Sequence, residues 1–217
     1  MSAFLKPSGQ DARAPLDADY PAALKARLGD RRFARVTALG NLDHLSTRLL
    51  ALFCSAKCPG NLILDTYDLA RSLRDAGVAT IGGFHSPMEK ECLDMLLRGK
   101  QPVVICPARG IQRMCIPPAW KPALGDGRLL ILSPFGEKDR RITTALAVRR
   151  NQFVAAVADE VFVAHAASGS KTEQFCLDLI AQGRPVVVFG REENQTLLDL
   201  GARLFDLSEL LHEKNRG

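Results

Sequence analysis

Small, hydroxyl and cationic side chains gather at three points of this chain, each between an apolar run and an amphipathic segment. In Cys54 to Asn61 (CSAKCPGN), Ser55 and Ala56 keep the turn small and Gly60 permits close approach. The helix that follows offers free N–H groups at a positive dipole end, so with Lys57 beside it this is an anion cradle. In Gly82 to Glu89 (GGFHSPME), Gly83 lets backbone or ligand come close, His85 is a candidate ligand contact, and Ser86 with Pro87 suits a helix start. In Ala166 to Phe175 (AASGSKTEQF), Ser168, Gly169, Ser170, Lys171 and Thr172 bring hydroxyls, a permissive backbone and a charge to a helix start. This third segment is the strongest phosphate-loop candidate, although the spacing G-x-x-x-x-G-K-[ST] is absent. Arg149, Arg150 and Asn151 lie just upstream in AVRRNQF, where arginine forks match phosphate oxygens and asparagine can bond a base or a backbone group.

Other chemistries find no support. His44, His85, His165 and His212 have no nucleophile partner at a recognisable spacing, so no catalytic residue is assigned. The six cysteines, Cys54, Cys58, Cys92, Cys106, Cys115 and Cys176, include no C-x-x-C pair and no histidine at finger-like spacing. Reduced, mostly buried thiols are expected, with no metal and no cofactor. A formal net charge of +5 favours an anionic partner. Aromatic residues make up only 6%, so stacking against bases would fall to Phe84, Trp120 or Phe135.

The elements that position these segments follow from the apolar pattern. With 47% apolar and 24% charged residues over 217 positions, one sizeable core is expected over 20–217, with 20–48 as its lead-in and 1–19 as a flexible tail outside the fold. Strand-sized runs are Leu49–Ser55, Val78–Gly82, Pro102–Cys106, Leu129–Ser133, Val161–His165, Pro185–Phe189 and Arg203–Asp206. Helical spacing marks Tyr20–Leu28, Pro59–Ala76 (closed by Gly77), Pro87–Arg98, Asp139–Ala158, Thr172–Gln182, Gln195–Leu200 and a segment from Ser208. Alternating strands and helices with Val, Ile and Leu throughout the strands predict a doubly wound, Rossmann-like α/β fold. Its sheet is mostly parallel with helices on both faces, and its ligands bind outside the carboxyl ends of the strands. No apolar run reaches the roughly 20 residues of a membrane helix, and the N-terminus has no signal-peptide pattern, so a cytoplasmic protein with no membrane partner is expected.

The motifs, taken in order, resemble the DNA-processing protein A (DprA, or Smf) family. YPAALKARLGD followed by VTALGNLDHL is similar to its lead-in, LFCSAKCPG to its first Rossmann loop, and RRNQFVAAVADEVFVAHAASGSKTE to its Arg-Asn helix, strand and Ser-Gly-Ser loop. GGFHSPMEKECLDMLL lies where that family has a Ser-Gly-Leu-Ala-Arg-Gly-Ile-Asp run, with Ser86 at the arginine position; Ser55 replaces a glycine, Lys57 an arginine and His165 an acidic residue. The resemblance spans about Tyr20 to Ala202. It implies single-stranded DNA binding through a basic surface, self-association into a homo-oligomer, and hand-off to a RecA-type recombinase in DNA recombination. Lys57, Arg149, Arg150, Asn151, Ser168, Gly169, Ser170, Lys171 and Thr172 would then be its contacts. The same superfamily leaves an alternative open: a nucleotide-binding sensor, or a nucleoside monophosphate phosphoribohydrolase of the LOG type. That signature is P-G-G-x-G-T-x-x-E, of which this chain keeps Thr172 and Glu173 without the paired glycines.

Overall fold

A strand turns successive side chains to opposite faces, so a strand that is apolar at every position must be covered on both sides. The central strands of this protein meet that condition. In the computed structural model, which describes residues 14–16, 22–28, 33 and 36–214, Leu50 and Leu52 face one buried layer and Ala51 and Phe53 the other. Leu129 and Ile131 likewise part from Leu130 and Leu132.

These strands belong to one nine-stranded sheet. In chain order they are β1 (Ala14–Leu16), β2 (Val36–Gly40), β3 (Leu50–Phe53), β4 (Thr80–Gly82), β5 (Val103–Ile105), β6 (Leu129–Ser133), β7 (Glu160–Val163), β8 (Val186–Val188) and β9 (Arg203–Leu204). In space the order is β1-β2-β6-β5-β4-β3-β7-β8-β9. Pairing is parallel from β6 through β9 and antiparallel where β2 meets β6 and β1.

The helices are α1 (Ala22–Leu28), α2 (Gly60–Asp75), α3 (Pro87–Leu96), α4 (Lys121–Gly125), α5 (Thr144–Val157), α6 (Lys171–Ala181), α7 (Gln195–Asp199) and α8 (Leu207–Lys214). One layer holds Leu69 and Leu73 of α2, Met88, Cys92 and Leu96 of α3, and Leu210 of α8. The opposite layer holds Leu24 of α1, Phe153 and Val157 of α5, and Phe175 and Leu179 of α6. The expected doubly wound α/β architecture is therefore the observed one.

Some boundaries differ, for local reasons. Residues 14–16 are not outside the fold: they form the edge strand β1, paired with β2 so that Pro15 lies opposite Thr37, and an edge is where a strand tolerates proline. Tyr20, Pro21 and most of the expected tail lie outside the described residues. The helix expected from Asp139 begins only at Thr144, because Asp139 closes a turn by accepting from Gly136 N at 3.0 Å while the Thr143 hydroxyl accepts from Leu146 N at 3.2 Å and caps α5. Gly77 ends α2 at φ +69°, a left-handed conformation that favours glycine.

The lead-in is pinned by side chains. Arg27 of α1 donates to Leu45 O, Thr47 O and Val157 O and pairs with Asp159 at 2.8 Å, fastening α1 to the end of α5. Buried His44 places Nε2 2.8 Å from Gly127 O, so the neutral ring donates there. Burial pushes the His44 pKa below 6.5, against the opposing pull of that bond and of Asp43.

A folded-state pKa below the unfolded value means that the unfolded chain binds the extra proton first, so His44 makes the fold less stable as pH falls through about 6.5. We expect the urea midpoint of the wild type to drop between about pH 7.5 and about 5.5 more than that of His44→Gln. Equal pH dependence of the two proteins would refute this role.

Candidate nucleic-acid interface

The order of the strands reverses at β3, which has β4 on one side and β7 on the other. Two crossovers leave such a point in opposite directions, so the loops above it part and leave a crevice at the carboxyl ends. All three sequence-selected loops arrive there: 54–59 after β3, 83–86 after β4 and 164–170 after β7.

The first and third loops are stitched together. Ser55 is buried; its N–H donates to His165 O at 2.9 Å, its hydroxyl accepts from Ala167 N at 3.1 Å, and its Oγ lies 3.3 Å from Ser170 Oγ. A residue without a hydroxyl would leave Ala167 N without this acceptor, which explains a serine at this turn. Ser170 also caps α6, accepting from Glu173 N at 3.1 Å. Gly169, at φ +68°, donates its N–H to Glu173 Oε2 at 2.7 Å.

These bonds occupy donors of the loop that the sequence marks as the strongest phosphate-loop candidate. The Gly169 N–H is already taken by a carboxylate of the same loop, and the Ser170 hydroxyl serves the helix. Ser168 and Lys171 remain exposed and Thr172 is half-buried.

The second loop is organised by a residue that the sequence reading passed over. Glu89, 5% exposed, accepts from Cys54 N at 2.9 Å through one carboxylate oxygen and from His85 N at 2.8 Å and Ser86 N at 3.2 Å through the other. Ser86 returns the favour by accepting from Glu89 N, completing a capping box at α3. The S-x-x-E spacing of Ser86 and Glu89 was the available signal. The His85 ring is left exposed, and Phe84 adopts φ +46°, an uncommon conformation for a bulky residue.

That backbone turns the Phe84 ring inward over Gly82, where it is 5% exposed. Phe135 is 1% exposed, and Trp120 is half-buried against the core. Phe84 and Phe135 are therefore core residues and not the stacking platforms expected from sequence. Phe84 is buried in the apolar layer that also holds α2 and α3.

Arg150 also departs from expectation. It is 5% exposed, donates to Asn151 Oδ1 at 2.7 Å and Cys106 O at 3.3 Å, and lies so close over Gly83 that a Cβ there would fall inside the guanidinium. Burial lowers its pKa, opposed by the negative charge of Glu89. Arg150 thus supports the floor of the crevice and explains Gly83, while Asn151 holds Arg150 and Arg149 is exposed. Buried Asn194, also missed, donates to Ala164 O and Phe189 O and ties the ends of β7 and β8; its place in the helix-starting run REEN gave no sign of that.

One helix start is left open. The N-terminus of α2 has no side-chain cap, since Pro59 occupies the N-cap position. A Cβ on Gly60 would meet nothing within 4 Å, so packing does not require this glycine and open space lies beside it. Lys57 is exposed on the loop leading to it. Across the opening, Asn61 donates to Glu193 at 2.7 Å, which holds the Glu193 pKa below its usual value.

The six cysteines are free. Burial pushes Cys92, Cys106 and Cys176 up to about 12, and a hydrogen bond to Cys58 together with burial pushes Cys54 up as well, so these thiols are poor nucleophiles at neutral pH. Among the described residues no group of three His, Cys, Asp or Glu is placed to hold a metal ion, and no helix is long and apolar enough to cross a membrane.

Fold and crevice together define a Rossmann-like α/β protein with its ligand-accessible loops at a topological switch point. It is similar to the X-ray structure of DNA processing protein A (DprA) from Streptococcus pneumoniae, with 20% identity, TM-score 0.74, and coverage of 94% of this chain and 75% of that one. It is similar also to DNA processing protein A from Helicobacter pylori, a structure described by its single-stranded DNA binding mode, with 19% identity, TM-score 0.74, and coverage of 94% and 96%. The molybdenum cofactor carrier protein of Chlamydomonas reinhardtii is more distant, with 12% identity, TM-score 0.53, and coverage of 79% and 100%. No family model matches the chain, and no curated protein does. The fold implied by the sequence resemblance is the fold found.

Removing the Glu89 carboxylate would strand three backbone donors and leave Arg150 without its nearest opposing charge. Glu89→Ala is expected to lower unfolding free energy by about 3–5 kcal/mol in urea titrations. Glu89→Gln, which retains one acceptor oxygen, should lose less. A loss under about 1 kcal/mol for Glu89→Ala would contradict this assignment.

Proposed function

We propose that this protein binds single-stranded DNA along the carboxyl ends of β3, β4 and β7, in the manner of a DprA-like DNA-processing protein. The observation that carries the reading is the open, uncapped start of α2 at the switch point, with Lys57 beside it, in a fold shared over 94% of the chain with DNA processing protein A. Backbone N–H groups and the helix dipole would receive a phosphate there. Lys57, Lys171 and Arg149 would add charge from the rim, and Ser168 and Thr172 hydroxyl contacts. Gly60 would allow the strand close to the helix, and His85 would meet it from the second loop.

In this reading the remaining residues act indirectly. Ser55, Gly169 and Ser170 fix the third loop against the first, while Gly83, Arg150 and Asn151 set the floor. With Phe84 and Phe135 buried, affinity would come from phosphate charge more than from stacking. Self-association, a cytoplasmic location and delivery of the strand to a RecA-type recombinase complete the proposal.

A second reading places a mononucleotide in the same crevice, as a sensor or hydrolase. The likeness to a molybdenum cofactor carrier protein, named for carrying a small cofactor, favours testing it. A nucleotide that binds only the folded state would raise the melting temperature by mass action.

Binding of labelled oligo-dT, followed by fluorescence anisotropy over a salt series, tests the proposal. Affinity should fall with salt at a slope of about −0.7 per phosphate neutralised, and Lys57→Ala should make that slope shallower by about 0.7. Salt-insensitive binding, or displacement of the oligonucleotide by an equimolar mononucleotide, would reject the DNA reading in favour of the pocket.

A further inference from the structure

The rim of the sheet is electrically lopsided beyond the crevice. On the β8 side the loop carries Glu192 and Glu193, and its Arg191 is engaged bidentately by Asp65 of α2 at 2.9 and 3.2 Å. On the β5 and β6 side, residues 107–113 and 136–141 carry Arg109, Arg113, Lys138, Arg140 and Arg141 against two acids, Glu137 and Asp139. Asp139 faces inward and is spent on Gly136 N, so the exposed acid of this pair of loops is Glu137.

These two loops form one surface. Gly110 N donates to Asp139 O at 2.8 Å, and Gly110 lies against Gly136 O so closely that a Cβ would collide with it. The Ser133 hydroxyl at the end of β6 donates to Arg109 O at 2.7 Å, and Gln112 reaches Thr37 of β2 at 3.0 Å. Arg113 and Arg140 share the single Glu137, at 2.7 and 3.7 Å, while their side chains stay 68% and 58% exposed. Two guanidinium groups on one exposed carboxylate leave a surplus of positive charge. Arg109 is half-buried in the same pair of loops. Lys138 and Arg141 are exposed beside them.

We propose that the 107–113 and 136–141 loops form a second phosphate-contact zone, which holds a single strand of nucleic acid after it leaves the crevice and crosses β4 and β5 towards β6. This rests on the DNA reading above and adds a direction to it. The carboxyl ends of β3 and β6 are three strand spacings apart, roughly 14 Å, a gap that a few nucleotides bridge. The acidic β8 side disfavours the opposite course. Arginine forks in an exposed cluster suit phosphate oxygens and make no demand on base identity.

The experiment compares wild type, Arg140→Gln/Arg141→Gln and Lys57→Ala for binding of an oligo-dT of about twelve nucleotides across a salt series. Both arginines are exposed, and thermal melting checks that the double variant folds as the wild type does. The proposal predicts a salt slope shallower by about 1.4 in the double variant, two phosphates' worth, and an affinity loss on the order of tenfold at about 0.1 M salt. An unchanged slope in the double variant, alongside salt-dependent binding that Lys57→Ala weakens, would overturn this second zone and leave the crevice reading standing. Absence of oligonucleotide binding by the wild type at low salt would overturn both.

Discussion

The buried carboxylate of Glu89 is the constraint on which the crevice depends. It lies under two loops that are separated by the whole of α2, and it receives one backbone donor from the first, Cys54, and two from the second, His85 and Ser86. A charge removed from water is tolerated only when such bonds and an opposing charge repay its desolvation. Here the opposing charge is Arg150, itself buried on Gly83 and braced by Asn151 and Cys106 O. The ends of β3, β4 and β5 and the middle of α5 are thereby referred to one another before any ligand arrives.

The same arrangement determines which helix start is accessible. Helix α3 is capped by Ser86 and Glu89, and α6 by Ser170, with Glu173 closing on Gly169. Each of these acids lowers the attraction of its helix start for an outside anion. At α2 the proline at the N-cap offers no such group, Gly60 faces open space, and the neighbouring Glu193 is held by the Asn61 side chain. Of three junctions with similar composition, one is left able to receive a phosphate through backbone N–H groups, and the difference lies in two glutamates and a proline.

Much of the architecture was legible in the sequence because strand and helix periods here are strong. Apolar residues at every position of β3, β5 and β8 required two covering layers, and Gly77 marked the end of α2. The short edge strand at Ala14–Leu16 was not legible, since three residues including a proline carry no period and depend on β2 for their pairing. At the site, loop locations could be read but loop roles could not. A glycine needed for an arginine's packing, such as Gly83, looks the same in sequence as one needed for a ligand. Arg150 and Arg149 are adjacent and chemically alike, yet a turn of about 100° per residue along α5 puts one in the core and the other in solvent. Glu89 was recoverable from its spacing to Ser86; Asn194 was not, because its bonds reach the ends of β7 and β8 through tertiary folding alone.

The most direct test of the central claim, that the open start of α2 receives the phosphates of a single strand, is amide hydrogen exchange with and without saturating oligo-dT. The account predicts slowed exchange at Gly60, Asn61 and Leu62, the first N–H groups of α2, with no change at β9. Saturated binding that leaves exchange in that segment unaltered would contradict it.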